Sequence, residues 1–191
     1  MKITKSFFYV FTGLMFFSLA QGPDAVAAPI TLGIEPIIGY ERVQKLQPTQ
    51  HMTNRLMYGA RITAGIPLVA AEAEVTRGDD TESFPAQDLT IRDTDDKVKL
   101  GLRSSLRLSS LLSFQARAGG QAKRNTHEVT TAGQTEKTVG AIVYKPYAGL
   151  GLTARLGHLF ALSGGVTVVF NDFPRMAGNE YQTTLGFNIK I

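Results

Sequence analysis

Three histidines and a recurrent set of acids and bases are the residues here with chemistry to offer. His51, His127 and His158 do not share a strand or a metal-ligand spacing. His158 lies close to Ser163 in "GHLFALSGG", and a serine activated by a histidine and oriented by an acid would be an acyl-transfer nucleophile. In an extended chain, however, their odd separation puts the two side chains on opposite faces. His51 or His127 with Asp79 or Ser83 offers a second set of that kind. The stretch "GDDTESFPAQDLTIRDTDD" gathers Asp79, Asp80, Glu82, Asp88, Asp93, Asp95 and Asp96 against Arg92. Clustered carboxylates suit hard cations, but the glycine spacing of a calcium loop is missing, so 78–96 is expected to be a solvated loop. "GIPLV" and "GLGLT" lack the lysine and the strand-to-helix setting of a phosphate loop. The histidines therefore read as surface residues. No catalytic residue, metal site or cofactor is assigned.

A second group of charges follows a rule. Glu35, Arg61, Glu72, Glu74, Arg103, Arg117 and Arg155 all fall on one parity of segments whose other parity is apolar. The clearest segment lies in "YAGLGLTARLGHLFALSGGVTVVF", residues 147–170. Ala148, Leu150, Leu152, Ala154 and Leu156 alternate there with Tyr147, Gly149, Gly151, Thr153 and Arg155. Strict alternation predicts a strand with two unlike faces. Eight such segments are found, at about 31–42, 54–65, 68–77, 97–108, 111–123, 141–155, 159–171 and 180–191. Each reaches the roughly 9–11 residues that a tilted strand needs to cross a bilayer. Short connections at Ile66-Pro67, Ser109-Ser110 and Gly157-His158 alternate with long polar ones at Lys45–Thr53, Gly78–Asp96, Arg124–Gly140 and Asp172–Asn179. That rhythm predicts an all-β, eight-stranded antiparallel up-and-down transmembrane barrel.

The remaining composition agrees. The chain has 191 residues, no Cys and no Trp, which removes disulfides, thiolate metal sites and cysteine nucleophiles. A net charge of +4 with no Lys/Arg run argues against a nucleic-acid partner. Lys2 and Lys5, the apolar run "FFYVFTGLMFFSLA" and Ala25-Val26-Ala27 make a cleavable secretory signal peptide over 1–27. The barrel then occupies 28–191.

The polar parity belongs inside. An eight-stranded interior is only just wide enough for side chains, and the apolar set with its aromatics would crowd it. The aromatics also sort by height. Tyr40, Tyr58, Tyr144, Phe170 and Tyr181 fall near the long-loop ends, and Phe114, Phe160 and Phe187 toward the short turns. Two bands on an apolar face match membrane-interface girdles. The charges then form a lumen network in which acids and bases alternate from strand to strand.

The signal peptide, "YKPYAGLGLTARL" and the terminal strand "YQTTLGFNIKI" resemble the small eight-stranded outer-membrane barrels of the OmpA/OmpX/opacity-protein type. The resemblance covers the whole chain after the signal. The family usually ends in Phe or Trp, whereas this chain ends in Ile191. The resemblance implies a bacterial outer-membrane location and contact with membrane lipid and lipopolysaccharide. It also implies recognition by the barrel assembly machinery and extracellular surface ligands as a class of partner. Members serve as adhesins, anchors, narrow pores and lipid-modifying enzymes, so fold alone leaves the task open. The expectation is a structural or surface-interaction barrel with a plugged polar lumen. A narrow, porin-like anion-preferring pore and a lipid A-modifying enzyme are the alternatives.

Overall fold

The computed structural model describes residues 30–45, 51–66, 68–171 and 178–190. The signal segment 1–27, Pro67, Ile191 and parts of the first and fourth long loops lie outside the described residues. The described residues form nine strands: β1 (Thr31–Lys45), β2 (His51–Ile66), β3 (Val69–Phe84), β4 (Leu89–Arg107), β5 (Leu112–Thr131), β6 (Gln134–Val139), β7 (Val143–Arg155), β8 (Phe160–Val169) and β9 (Glu180–Lys190). All neighbours pair antiparallel. The ring closes where β1 meets both β2 and β9, and β4 meets β5. β6 and β7 share one position in it. β5 pairs with β7 up to Lys123 and with β6 from Thr126 onward. The ring therefore has eight places, as the alternating segments predict.

Two of the expected loops are not loops. β3 and β4 stay paired beyond the ring, from Asp80↔Asp93 to Phe84↔Leu89, and close through a single 3-10 turn at Pro85–Gln87. β5 and β6 continue alongside and close through Ala132-Gly133, whose φ values of 49° and 79° are those of a two-residue hairpin turn. The four strands form a blade that rises past the ring. The physical reason lies in the residues of these segments. Thr81, Thr90, Ile91, Thr94, Thr126, Val129, Thr130, Thr135 and Thr138 are β-branched, which suits a pleated surface even where it is polar.

Burial is inverted relative to a water-soluble core. Lys97 and Lys99 are 1% and 0% exposed, while Leu100 and Leu150 are 62% and 59% exposed. A soluble barrel would show the reverse. Ile37, Val43, Met57, Ile91, Tyr147, Ala161 and Val169 are the buried apolar residues among the described ones. On the outer wall, β5 from Leu112 to Ala122 carries no charge. That stretch rises roughly 33 Å along the strand and about 25 Å along the axis at the usual tilt, the height of a lipid-facing band. No helix among the described residues is long and apolar enough to cross a membrane; the strands make the crossing.

Candidate functional site

The lumen is filled in three tiers. In the lowest, Glu35 from β1 is fully buried. It accepts hydrogen bonds from Arg61 Nη1 at 3.0 Å, Arg103 Nη1 at 3.3 Å and Asn188 Nδ2 at 3.5 Å, and from the Ser163 hydroxyl. The carboxylate occupies space that only glycine at position 186 leaves open: a Cβ there would stand 2.1 Å from Glu35 Oε1. In the middle tier, Glu74 Oε2 accepts from Arg61 Nη2 at 2.6 Å and Arg117 Nη1 at 2.7 Å, and its Oε1 accepts from Lys99 Nζ at 2.6 Å. Glu72 pairs with Arg117 at 3.0 Å and Arg61 at 3.6 Å. The Tyr147 ring lies under this tier, 5.9 Å from Lys99 Nζ and 5.8 Å from the Arg117 guanidinium carbon. Its hydroxyl would be 2.5 Å from a Cβ at Gly101, so that glycine makes room for the ring.

The uppermost tier adds Asp95, which lies outside the alternating segments, to Glu41, Arg55, Lys97 and Lys123. Glu41 pairs with Arg55 at 2.8 Å and with Lys97, and accepts from Gln182 Nε2 at 2.8 Å. Asp95 pairs with Arg55, with Lys123 at 2.9 Å and with Lys97 at 3.8 Å. Both carboxylates are buried.

The structure thus brings Glu35, Arg61, Glu72, Glu74, Arg103 and Arg117 together. Arg155 stands apart, contrary to the network expected from the sequence. It is half-buried near the short-turn end and donates to Ser113 Oγ at 3.3 Å, and none of the described ion pairs includes it. Its neighbours in charge are other bases: Lys190 feels Arg155, Arg103 and Arg107. A cavity of about 20 Å³ beside Arg61, Gln115, Arg117 and Ser163 has room for about one water molecule.

The histidines lie elsewhere. His51 Nε2 is 3.1 Å from Glu82, and His127 Nδ1 is 2.6 Å from Asp93, both at the inner face of the blade. Asp79 and Ser83 do not join either one; Asp79 accepts from Thr94 at 2.6 Å and Ser83 lies 3.5 Å from Thr90. The acidic stretch is divided between the two faces of a hairpin, not gathered. Arg77 pairs with Asp96 at 3.0 Å and Arg92 with Asp79 at 3.7 Å on the outer face, while Asp95 points into the lumen. Among the described residues, no group of three or more His, Asp or Glu is arranged to hold a metal ion. Also on the outer face, Lys137 donates to Glu128 at 2.8 Å and holds its carboxyl below the ordinary 4.5.

The outer wall carries the aromatics. Tyr40, Tyr58, Tyr144 and Tyr181 are exposed toward the blade end, and Phe170 is half-buried there. Phe160 and Phe187 stack at 5.5 Å near the short turns, with Phe114 half-buried at a similar height.

Neither a family model nor a curated protein matches the chain. Solved structures do. Ail, the attachment invasion locus protein of Yersinia pestis, in complex with the heparin analogue sucrose octasulfate, superposes with a TM-score of 0.59 at 11% identity over 85% of this chain and 99% of that one. Neisserial surface protein A gives 0.54 at 9% identity over 84% and 96%. A major outer membrane protein from Thermus thermophilus gives 0.52 at 12% identity over 85% and 100%. The chain has the fold of the small eight-stranded outer-membrane β-barrels, and the bacterial outer membrane is where that fold resides.

Proposed function

We propose that this chain is a sealed outer-membrane anchor that displays a β-blade at the cell surface. The observation that carries the reading is the three-tiered lumen, in which ion pairs span the bore from Glu35 to Asp95. Every carboxylate in those tiers touches at least two cations. Opening a path would separate buried charges, each costly to leave alone. The blade is the part offered outward. Its outer face holds a groove of about 210 Å³ between Arg92, Asp79, Glu128 and Lys137, a polar surface for an extracellular partner.

One observation favours a second reading. Arg103, Arg107, Arg155 and Lys190 crowd the short-turn end with little acid among them, which would favour anions at the mouth of a narrow pore. Planar-bilayer recording of the purified protein separates the two. The sealed reading expects no steady conductance. A steady, anion-selective current would sink it and establish the pore.

A further inference from the structure

The outer wall holds a feature that neither the lumen nor the blade uses. Strand register aligns two rows across β2 to β5. The lower row reads Ala60, Val75, Val98, Ala122; the upper reads Tyr58, Arg77, Asp96, Arg124. The upper row carries the first charges met on leaving the apolar band. At these rows the wall is hollowed into a groove of about 630 Å³, flanked by Tyr58 and Ile142. A second hollow of about 430 Å³ continues from Val98 and Ala122 to Leu100, Gly120, Tyr144 and Pro146. Both hollows lie open along the outer wall. The cause is local. Ala60, Gly120 and Ala122 are short beside Tyr58, Tyr144 and Ile142, and the ladder on β5 is interrupted between Lys123↔Val143 and Thr126↔Val139.

Charge decides the occupant. Arg124 is exposed and forms none of the described ion pairs, and Arg77 shares its charge with Asp96 alone among them. Their strands are two apart, so their Cα atoms are separated by about 10 Å. Two guanidinium groups at that spacing suit a phosphate, which arginine binds bidentately, and Asp96 between them suits a sugar hydroxyl. Below them lies only apolar surface. A transmembrane protein segment would fill the hollow without needing the arginines. A head group that joins phosphate, hydroxyls and several acyl chains uses all of it.

We propose that this groove binds the lipid A portion of lipopolysaccharide, with a phosphate held between Arg77 and Arg124 and an acyl chain laid across Val98, Ala122 and Gly120. The proposal rests on the outer-membrane reading and is independent of whether the lumen is sealed. Titration of purified, refolded barrel in detergent with bisphosphorylated lipid A, followed by native mass spectrometry, tests it. Gel mobility with and without heating confirms that each variant is folded. Gly120→Leu is the most informative substitution, because a Cβ at that position meets nothing within 4 Å and so fills the hollow without straining the strand. The wild type is expected to hold lipid A. Gly120→Leu and the double variant Arg77→Gln/Arg124→Gln are each expected to weaken it at least tenfold, and removing both phosphates from the lipid to do the same. Ala64→Leu, on the same wall near the other end, should change nothing. Equal retention by folded wild type and both groove variants would overturn the proposal. So would equal binding of dephosphorylated lipid, or displacement by phosphatidylglycerol at matched concentration. A wild type that forms no heat-modifiable barrel would instead sink the outer-membrane reading.

Discussion

Replacing Glu74 with glutamine keeps the shape of the side chain and removes its charge. In the native lumen Arg61, Lys99, Arg103 and Arg117 face Glu35, Glu72 and Glu74, and Glu74 touches three of the four cations at 2.6–2.7 Å. After substitution four cations face two carboxylates. One unit pair 4 Å apart is worth about 4 kcal/mol at an effective dielectric constant of 20. Three contacts are lost, but Glu74 no longer has to be desolvated, and removing one partner from a buried pair usually costs about 3–5 kcal/mol. We expect Glu74→Gln to destabilise the folded barrel by that amount in urea unfolding from lipid vesicles, followed by circular dichroism and gel mobility. Lys99→Met in the same chain should recover part of the loss, because it removes one of the stranded cations. The exposed pair offers a control: Glu128→Gln should leave the transition where it was. A Glu74→Gln barrel within about 0.5 kcal/mol of wild type, the range of an ordinary surface substitution, would refute the reasoning. The lumen would then be wet enough to screen its charges.

Two further outcomes follow from the outer wall and the blade. Leu150→Arg, on the lipid-facing side of β7 where the leucine is 59% exposed, should lower stability by roughly 2–4 kcal/mol. Leu150→Phe should be tolerated, and equal assembly of the two in outer-membrane fractions would reverse the assignment of faces. Ala132 holds a φ of 49° in the blade turn, a conformation that costs a residue with a Cβ roughly 1–2 kcal/mol. Ala132→Asn should raise the unfolding midpoint of the blade, read by hydrogen exchange at Thr130 and Thr135, and unchanged protection would count against that turn.

Much of the barrel was legible in the order of residues because a strand's period is two. Parity alone assigned Leu150 and Leu152 to lipid and Arg61 and Glu74 to the lumen, and connection lengths assigned the two ends. What parity does not carry is height relative to the neighbouring strand, which depends on register. Glu41 shares its parity with Glu35 and stands directly opposite Arg55 on β2, but its second cation, Lys97, reaches it from β4, which does not pair with β1. Arg155 has the right parity and the wrong height, so it meets Ser113 in place of an acid. Asp95 was hidden differently. Read as part of an acidic loop it had no face at all; once Thr90, Ile91 and Thr94 are seen as strand residues, it turns inward to Arg55 and Lys123. The outer groove is out of reach for a related reason. It is made by four strands lining up short side chains, and no single segment displays it.

The two turns that end the blade, Pro85–Gln87 and Ala132-Gly133, separate what is free to vary from what is held. Two residues added to each arm at either tip would lengthen a hairpin while leaving every side chain below on its own face, because each arm has gained one full period. A single added residue would have to be absorbed at the tip, as a bulge or a wider turn, or it would invert the strand. The reach of the surface element is therefore adjustable in steps of about 7 Å. The membrane-embedded register is untouched by such steps. The outline of the blade can therefore change in that way without altering how the barrel folds.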